Sequence, residues 1–202
     1  MRSELERYRF AVRATELVRA MAIIALTLGG SAARAESVQL DGRCLRVAFE
    51  VFGWGIGRIQ GRFEDVWGTL DFDRRHVSST RLRITASTQS IRTQSALVDA
   101  ELRSTQFFDA VRFPQVSFES SGVELFAERA GTVTGVLEMR GVARSIRIPF
   151  ELSSEIFKPS SSRSIPHLQA NGTIRRSAWG MSALVPLISD DVKLDIRTGC
   201  SD

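Results

Sequence analysis

The segment Val98-Asp99-Ala100-Glu101-Leu102-Arg103-Ser104-Thr105-Gln106-Phe107-Phe108-Asp109-Ala110-Val111-Arg112-Phe113-Pro114-Gln115-Val116-Ser117-Phe118-Glu119-Ser120-Ser121 changes its hydrophobic period midway. Its first part suits a short helix with Leu102 on the apolar side, followed by the adjacent aromatics Phe107 and Phe108. Pro114 then biases Phe113 to extended geometry. After it, Val116 and Phe118 alternate with Gln115, Ser117 and Glu119, as in a strand with one buried face. Helix, aromatic plug and strand in that order suit the mouth of a barrel with an apolar interior.

Outward from this segment the chain alternates with period two. Leu45, Val47, Phe49 and Val51 interleave with Arg46, Ala48 and Glu50. The same pattern runs through Thr80–Ala86, Val133–Met139, Ile146–Leu152 and Val192–Ile196. It is the pattern of antiparallel strands with one wet and one buried face. Weaker strands are predicted over Ile56–Phe63, Trp67–Asp73, Val123–Ala127 and Leu168–Ile174. Two stretches are non-strand, Gln94–Arg103 and Ala178–Leu187, and the Ser- and Pro-rich Lys158–Pro166 reads as a loop. Eight or more short strands in one domain make an all-β fold, a closed barrel or a sandwich, with one or two short helices.

Several segments carry a family resemblance. Asp99, Leu102, Phe107-Phe108-Asp109, Pro114 and Phe118 resemble the central signature of the YceI-like family. Asp41 to Phe63, with Gly55 and Gly61, resembles its opening, and Gly68 and Asp73 continue the pattern. Ser90-Ile91-Arg92-Thr93 resembles the approach to the helix, Gly135 to Val142 a glycine-to-glycine strand and turn, Arg176-Ser177-Ala178-Trp179-Gly180-Met181 an Arg-Ser-x-aromatic-Gly element, and Ile188–Ile196 the last strand. The resemblance implies a closed, lipocalin-like antiparallel barrel and binding of long polyisoprenoid or similar amphiphilic lipids in the periplasm. The chain departs from the family at Cys44 and Gly53, where histidines are common, and at Val98, where an arginine is common. Those departures bear on the rim and the ligand head group more than on the fold.

Residues 1–35 read as a secretory signal peptide: arginines from Arg2 to Arg19, an apolar run Ala20–Gly30, and Ala33-Arg34-Ala35 before Glu36. The run has 11 residues, against about 20 for a membrane-spanning helix. The alternative is an uncleaved anchor. Of the 27 basic and 23 acidic residues, six arginines and three glutamates lie in this segment, leaving 21 and 20 in residues 36–202. That domain therefore lacks the charge excess of a nucleic-acid binder and, once the signal is cleaved, has no stable membrane span. Whether it forms a homodimer stays open.

Catalytic and metal motifs are sparse. The two histidines, His76 and His167, lack the ligand spacing of a zinc site, so no metal or cofactor is expected beyond a bound isoprenoid or fatty lipid. Gly53-Trp54-Gly55-Ile56-Gly57 misses the dinucleotide-binding spacing and reads as a flexible strand connection. Asp99, beside Glu101, is a candidate acid or base, the alternative being an acid that fixes a loop. The chain is therefore expected not to be an enzyme.

The apolar inventory supports two readings, a filled core or a lined cavity. In the second, Val47, Phe49, Val51, Phe63, Leu82, Ile84, Phe118, Leu137, Met139, Ile148 and Phe150 line it, and Phe107, Phe108 and Trp179 stand at the mouth as plug, gate or static packing. The implied function is a periplasmic carrier that shields an amphiphilic lipid. An interaction module without ligand, or an enzyme acting on a lipid-like substrate, are the alternatives. Export to an oxidising compartment and neighbouring first and last strands lead to a predicted Cys44–Cys200 disulfide, although counting by two puts the cysteines on opposite faces unless Gly199 kinks the strand. Two free thiols are the competing outcome.

Overall fold

The structure, a computed structural model, describes residues 36–72, 76–152 and 167–199. The proposed signal segment 1–35, the loop Lys158–Pro166 and Cys200 lie outside the described residues. The elements are β1 (Glu36–Leu40), β2 (Leu45–Gly53), β3 (Gly57–Phe63), β4 (Val66–Phe72), β5 (Arg81–Ser87), β6 (Ile91–Thr93), α1 (Ala96–Arg103), β7 (Gln115–Ala127), β8 (Ala130–Met139), β9 (Val142–Leu152), β10 (Leu168–Arg175) and β11 (Ile188–Thr198).

The strands form one antiparallel, curled half-barrel of 11 strands, ordered β1-β4-β5-β7-β8-β9-β10-β11-β2-β3-β6. The expected closed ladder is replaced by one with two edge strands, β1 and β6. The physical reason lies in three bends. Between β1 and β2, the Asp41 carboxylate accepts the Arg43 backbone N–H at 2.9 Å, and its carbonyl accepts from Cys44 and Leu45. This is an Asx turn, and the Arg43 side chain holds the Asp41 carboxyl below the ordinary carboxylate range. β3 turns into β4 at Glu64-Asp65, and β5 into β6 through a single 3₁₀ turn, Thr88–Ser90. The last two bends are joined by Glu64 N–H to the Ser90 carbonyl and Ser87 N–H to the Asp65 carbonyl. On one side of the bends β2 pairs with β3 and β3 with β6; on the other β1 pairs with β4 and β4 with β5.

The predicted strand Val123–Ala127 is the second half of β7, which continues through a bulge at Ser120/Gly122. There the buried Ser120 hydroxyl accepts the Leu82 backbone N–H at 2.8 Å, restoring a ladder bond that the bulge displaces.

Glycines decide how the inner aromatics lie. Phe49 faces Gly61 across β2–β3, and Phe150 faces Gly131 across β8–β9. Phe118 reaches Gly135 on β8. A Cβ on Gly131 would lie 2.7 Å from Phe150 Cζ, and one on Gly61 would collide with the Phe49 ring. Without those methyl groups the rings lie back along the sheet wall, the arrangement in which an aromatic covers a strand glycine. Buried apolar clusters gather below and around them, one including Leu40, Leu45, Leu70 and Ile91, another Val123, Val133, Ile148 and Phe150.

Candidate ligand-binding cavity

The curled sheet encloses a cavity of about 470 Å³. Of the fourteen residues expected to contact a ligand, Val47, Phe49, Val51, Phe63, Ile84, Phe107, Phe108, Phe118, Leu137, Met139 and Ile148 line it. Leu82 and Phe150 lie beyond it, around a smaller cavity of about 60 Å³ whose wall includes Ile84, Phe118, Ile148 and Ile196, shared with the larger one. Trp179 lies outside both linings. It is 3% exposed, packs with Leu137, Met139 and Met181, and donates its indole N–H to the Leu137 carbonyl at 3.2 Å.

Sequence reasoning missed part of the wall. Ile56, Ile59, Leu97, Val98, Leu102, Ile146, Ile174, Leu184, Ile188, Val192 and Leu194 also line the cavity. Strand alternation already put Val192, Leu194 and Ile146 on the inner face. Leu97 and Leu184 come from a helix and a long connection, where no period-two signal exists, and Ile56, expected to open a strand, lies in the hairpin tip before β3.

Two charged side chains reach the lining, Glu101 and Arg176. Arg176 is 5% exposed. Its guanidinium donates to the backbone carbonyls of Ser189 at 2.9 Å, Met181 at 2.6 Å and Ile188 at 3.0 Å, and it lies 5.7 Å from the Phe107 ring centroid. Burial lowers its pKa from the usual arginine value, against the pull of nearby Asp190. Beside it, Ser177 donates both its N–H and its hydroxyl to the Asp190 carboxylate, at 2.8 and 2.7 Å. Burial pushes the Asp190 carboxyl up, but these hydrogen bonds together with the charges of Arg176 and Arg175 hold its pKa below the ordinary value. Gly180 closes the turn at φ 76°. Every distinctive residue of Arg176-Ser177-Ala178-Trp179-Gly180 thus fastens the β10–β11 connection over the cavity.

The helix is fastened from the other side. Asp99, the candidate acid, is 6% exposed and accepts the Thr93 backbone N–H and hydroxyl, both at 2.7 Å. The Thr93 hydroxyl bond is the main cause of its lowered pKa, opposed by burial. It ties α1 to β6 and is absent from the cavity lining. Phe108 follows α1 and meets Phe63 edge-on at 5.8 Å, so it closes the wall between the post-helix loop and β3. Among the described residues no three His, Cys, Asp or Glu side chains cluster in a way that could hold a metal ion.

At the opposite end of the sheet, Thr198 pairs with Leu45, and Gly199, at φ 132°, donates its N–H to the Cys44 carbonyl at 2.9 Å. Cys44 is disulfide-bonded. A Cβ on Gly199 would collide with the His167 ring, so both space and backbone conformation require glycine there.

The model of the YceI-like domain matches residues 39–199. The chain belongs to the YceI-like domain family. Its relatives include Protein YceI of Salmonella arizonae and of Salmonella heidelberg, each 26% identical over 176 residues, covering 87% of this chain and 91% of the relative. Among solved structures, BcnA of Burkholderia cenocepacia shares the fold with a TM-score of 0.69 at 17% identity, covering 78% of this chain and 96% of BcnA. A YceI protein of Campylobacter jejuni has a TM-score of 0.58 at 24% identity, with coverage of 70% and 84%. A polyisoprenoid binding domain from Saccharophagus degradans has a TM-score of 0.59 at 13% identity, with coverage of 82% and 99%.

Proposed function

We propose that this protein is a non-enzymatic carrier that shields the tail of a long-chain isoprenoid or similar amphiphilic lipid from water. The observation that carries the reading is the cavity: about 470 Å³, walled by aliphatic and aromatic side chains with two charged groups in its lining. That volume falls within the usual range of small-molecule pockets. Each methylene moved from water into such a wall gains about 0.8 kcal/mol, so a tail binds through length and no directional contact is required. The Saccharophagus degradans neighbour, described as a polyisoprenoid binding domain, supports the same ligand class.

On this reading the sheet acts as a closed ring. The pairing of β11 with β2 supports this reading, with β1–β2, β3–β4 and β5–β6 each taken as one bent strand. Residues 1–35 serve as an export signal, the carrier works in the periplasm, and the Cys44 bond joins Cys200.

Native mass spectrometry of protein purified from its own host tests the proposal. A retained lipid, chemically unchanged after incubation, is expected. An empty protein that also fails to take up added polyprenol would favour an interaction module, and turnover of the lipid would favour an enzyme.

A further inference from the structure

The cavity opens among three segments whose apolar side chains face solvent. At the β2–β3 tip Trp54 is 73% and Ile56 68% exposed; on α1 Leu97 is 82% exposed; on the β10–β11 connection Leu187 is 62% exposed. Phe52, Leu184 and Val185 add to the same patch. The tip and the connection are joined, since Trp54 donates its N–H to the Leu187 carbonyl at 2.8 Å, and Phe52 and Trp54 meet edge-on at 6.2 Å. Neither Phe52–Gly57 nor Met181–Ile188 contains a charged residue, in a chain that is 25% charged. Exposed apolar patches of this kind mark interaction surfaces.

Three of these side chains, Ile56, Leu97 and Leu184, also line the cavity. The patch is therefore continuous with the cavity wall, and the two form one largely apolar surface from solvent to interior, with Glu101 and Arg176 the charged residues in the lining. A protein seated on it would cap the opening. A lipid bilayer would instead extend the wall, letting a tail pass between membrane and cavity without crossing water. Trp54 suits that role, because an indole combines a large apolar body with one polar N–H and prefers the membrane–water interface. Gly55 and Gly57, at φ 75° and 85° with open space around them, let the tip adjust its depth. The arginines flanking the patch, Arg58 and Arg175, lie within 4 Å of Glu50 and Asp191, and Glu50 is shared with Lys193, so the net positive charge left to select anionic lipids is small.

We infer that the Trp54–Leu187 rim docks the cavity mouth onto a phospholipid bilayer, chiefly by apolar insertion. The inference rests on the carrier reading for its purpose, and its test is separate. The purified protein is sedimented with phosphatidylcholine vesicles and with vesicles that also contain phosphatidylglycerol, alongside the double variant Trp54→Ser/Leu187→Ser. Neither residue lines the cavity. The expected result is binding to both vesicle types with similar affinity, weakened roughly tenfold or more in the variant, while the variant keeps its thermal midpoint and any bound lipid. No binding, binding indifferent to the variant, binding only to anionic vesicles, or a solution dimer that the substitutions dissociate would each overturn it. Loss of the co-purifying lipid from wild type and variant alike would instead count against the carrier reading.

Discussion

The Phe118 ring rests on Gly135: a Cβ at that glycine would lie 2.5 Å from Phe118 Cζ and the same distance from the Glu119 carbonyl oxygen. The contact holds the ring against the sheet and keeps the lumen between Ile84, Leu137 and Ile148 open. Cavity volume is thus set by a residue without a side chain as much as by those that line the wall.

Gly135→Ala should force Phe118 off the wall and into the lumen. Overpacking of this kind costs about 1–3 kcal/mol, read as a lower urea midpoint with an unchanged slope. The same variant should take up less lipid than wild type, because the displaced ring occupies the tail's volume. Wild-type stability and uptake in Gly135→Ala would show that the ring has another place to go.

Arg176 organises the mouth by gathering the Met181 carbonyl of the β10–β11 connection and the Ile188 and Ser189 carbonyls at the start of β11. Lysine keeps the charge but lacks the planar fork, so Arg176→Lys should destabilise the protein by about 1–3 kcal/mol, the cost of leaving buried carbonyls unpaired. Amide exchange in residues 181–189 should accelerate before the strands are affected. Uniformly faster exchange would instead indicate a global role.

Asp99 should make α1 acid-sensitive. Its pKa is lowered from the ordinary 3.8, so its stabilisation is fully present above that value and is lost as the pH falls through the lower folded-state pKa. Asp99→Asn keeps an acceptor for Thr93 and removes the charge. The difference in thermal midpoint between wild type and Asp99→Asn should be greatest near neutral pH and shrink below about pH 4. A difference independent of pH would mean that shape, and not charge, matters at this position.

Much of this architecture was legible because alternation survives wherever one face is wet. The runs in β2, β5, β8, β9 and β11 stand out for that reason. β1 and β6 escaped notice because five and three residues carry too little periodicity. The bends escaped for another reason: hydrogen bonds across Asp41, Glu64 and Ser90 create them, and no hydrophobic pattern records such bonds. Of the expected residues that lie in the cavity lining, all but Phe107 and Phe108 are strand residues. Asp190 and the Ile188 and Ser189 carbonyls at Arg176 were invisible because their partners are 12 or 13 residues away. Trp179, expected at the mouth as plug, gate or static packing, is buried outside the lining, where the Leu137 carbonyl accepts its N–H.

The Cys44–Cys200 bond should appear as the absence of reactive thiols in unfolded, unreduced monomer. Gly199, at φ 132°, stands where a kink would be needed. The bond would close a loop of more than 150 residues, for which chain entropy gives about 5 kcal/mol and measured values are often smaller. Two titratable thiols would rule it out, and a bond seen only in a dimer would place it between chains.

Uptake of a polyprenol by interior variants tests the cavity most directly. Ile148 is buried and borders both cavities, so Ile148→Glu sets a carboxylate against the tail, while Val51→Trp fills the lumen without adding charge. Circular dichroism and native mass spectrometry on both variants establish folding and bound mass together. Folded variants that no longer retain the prenol, beside a wild type that carries one molecule, are the expected result. A folded Ile148→Glu or Val51→Trp protein that binds prenol as wild type does would contradict an interior binding site.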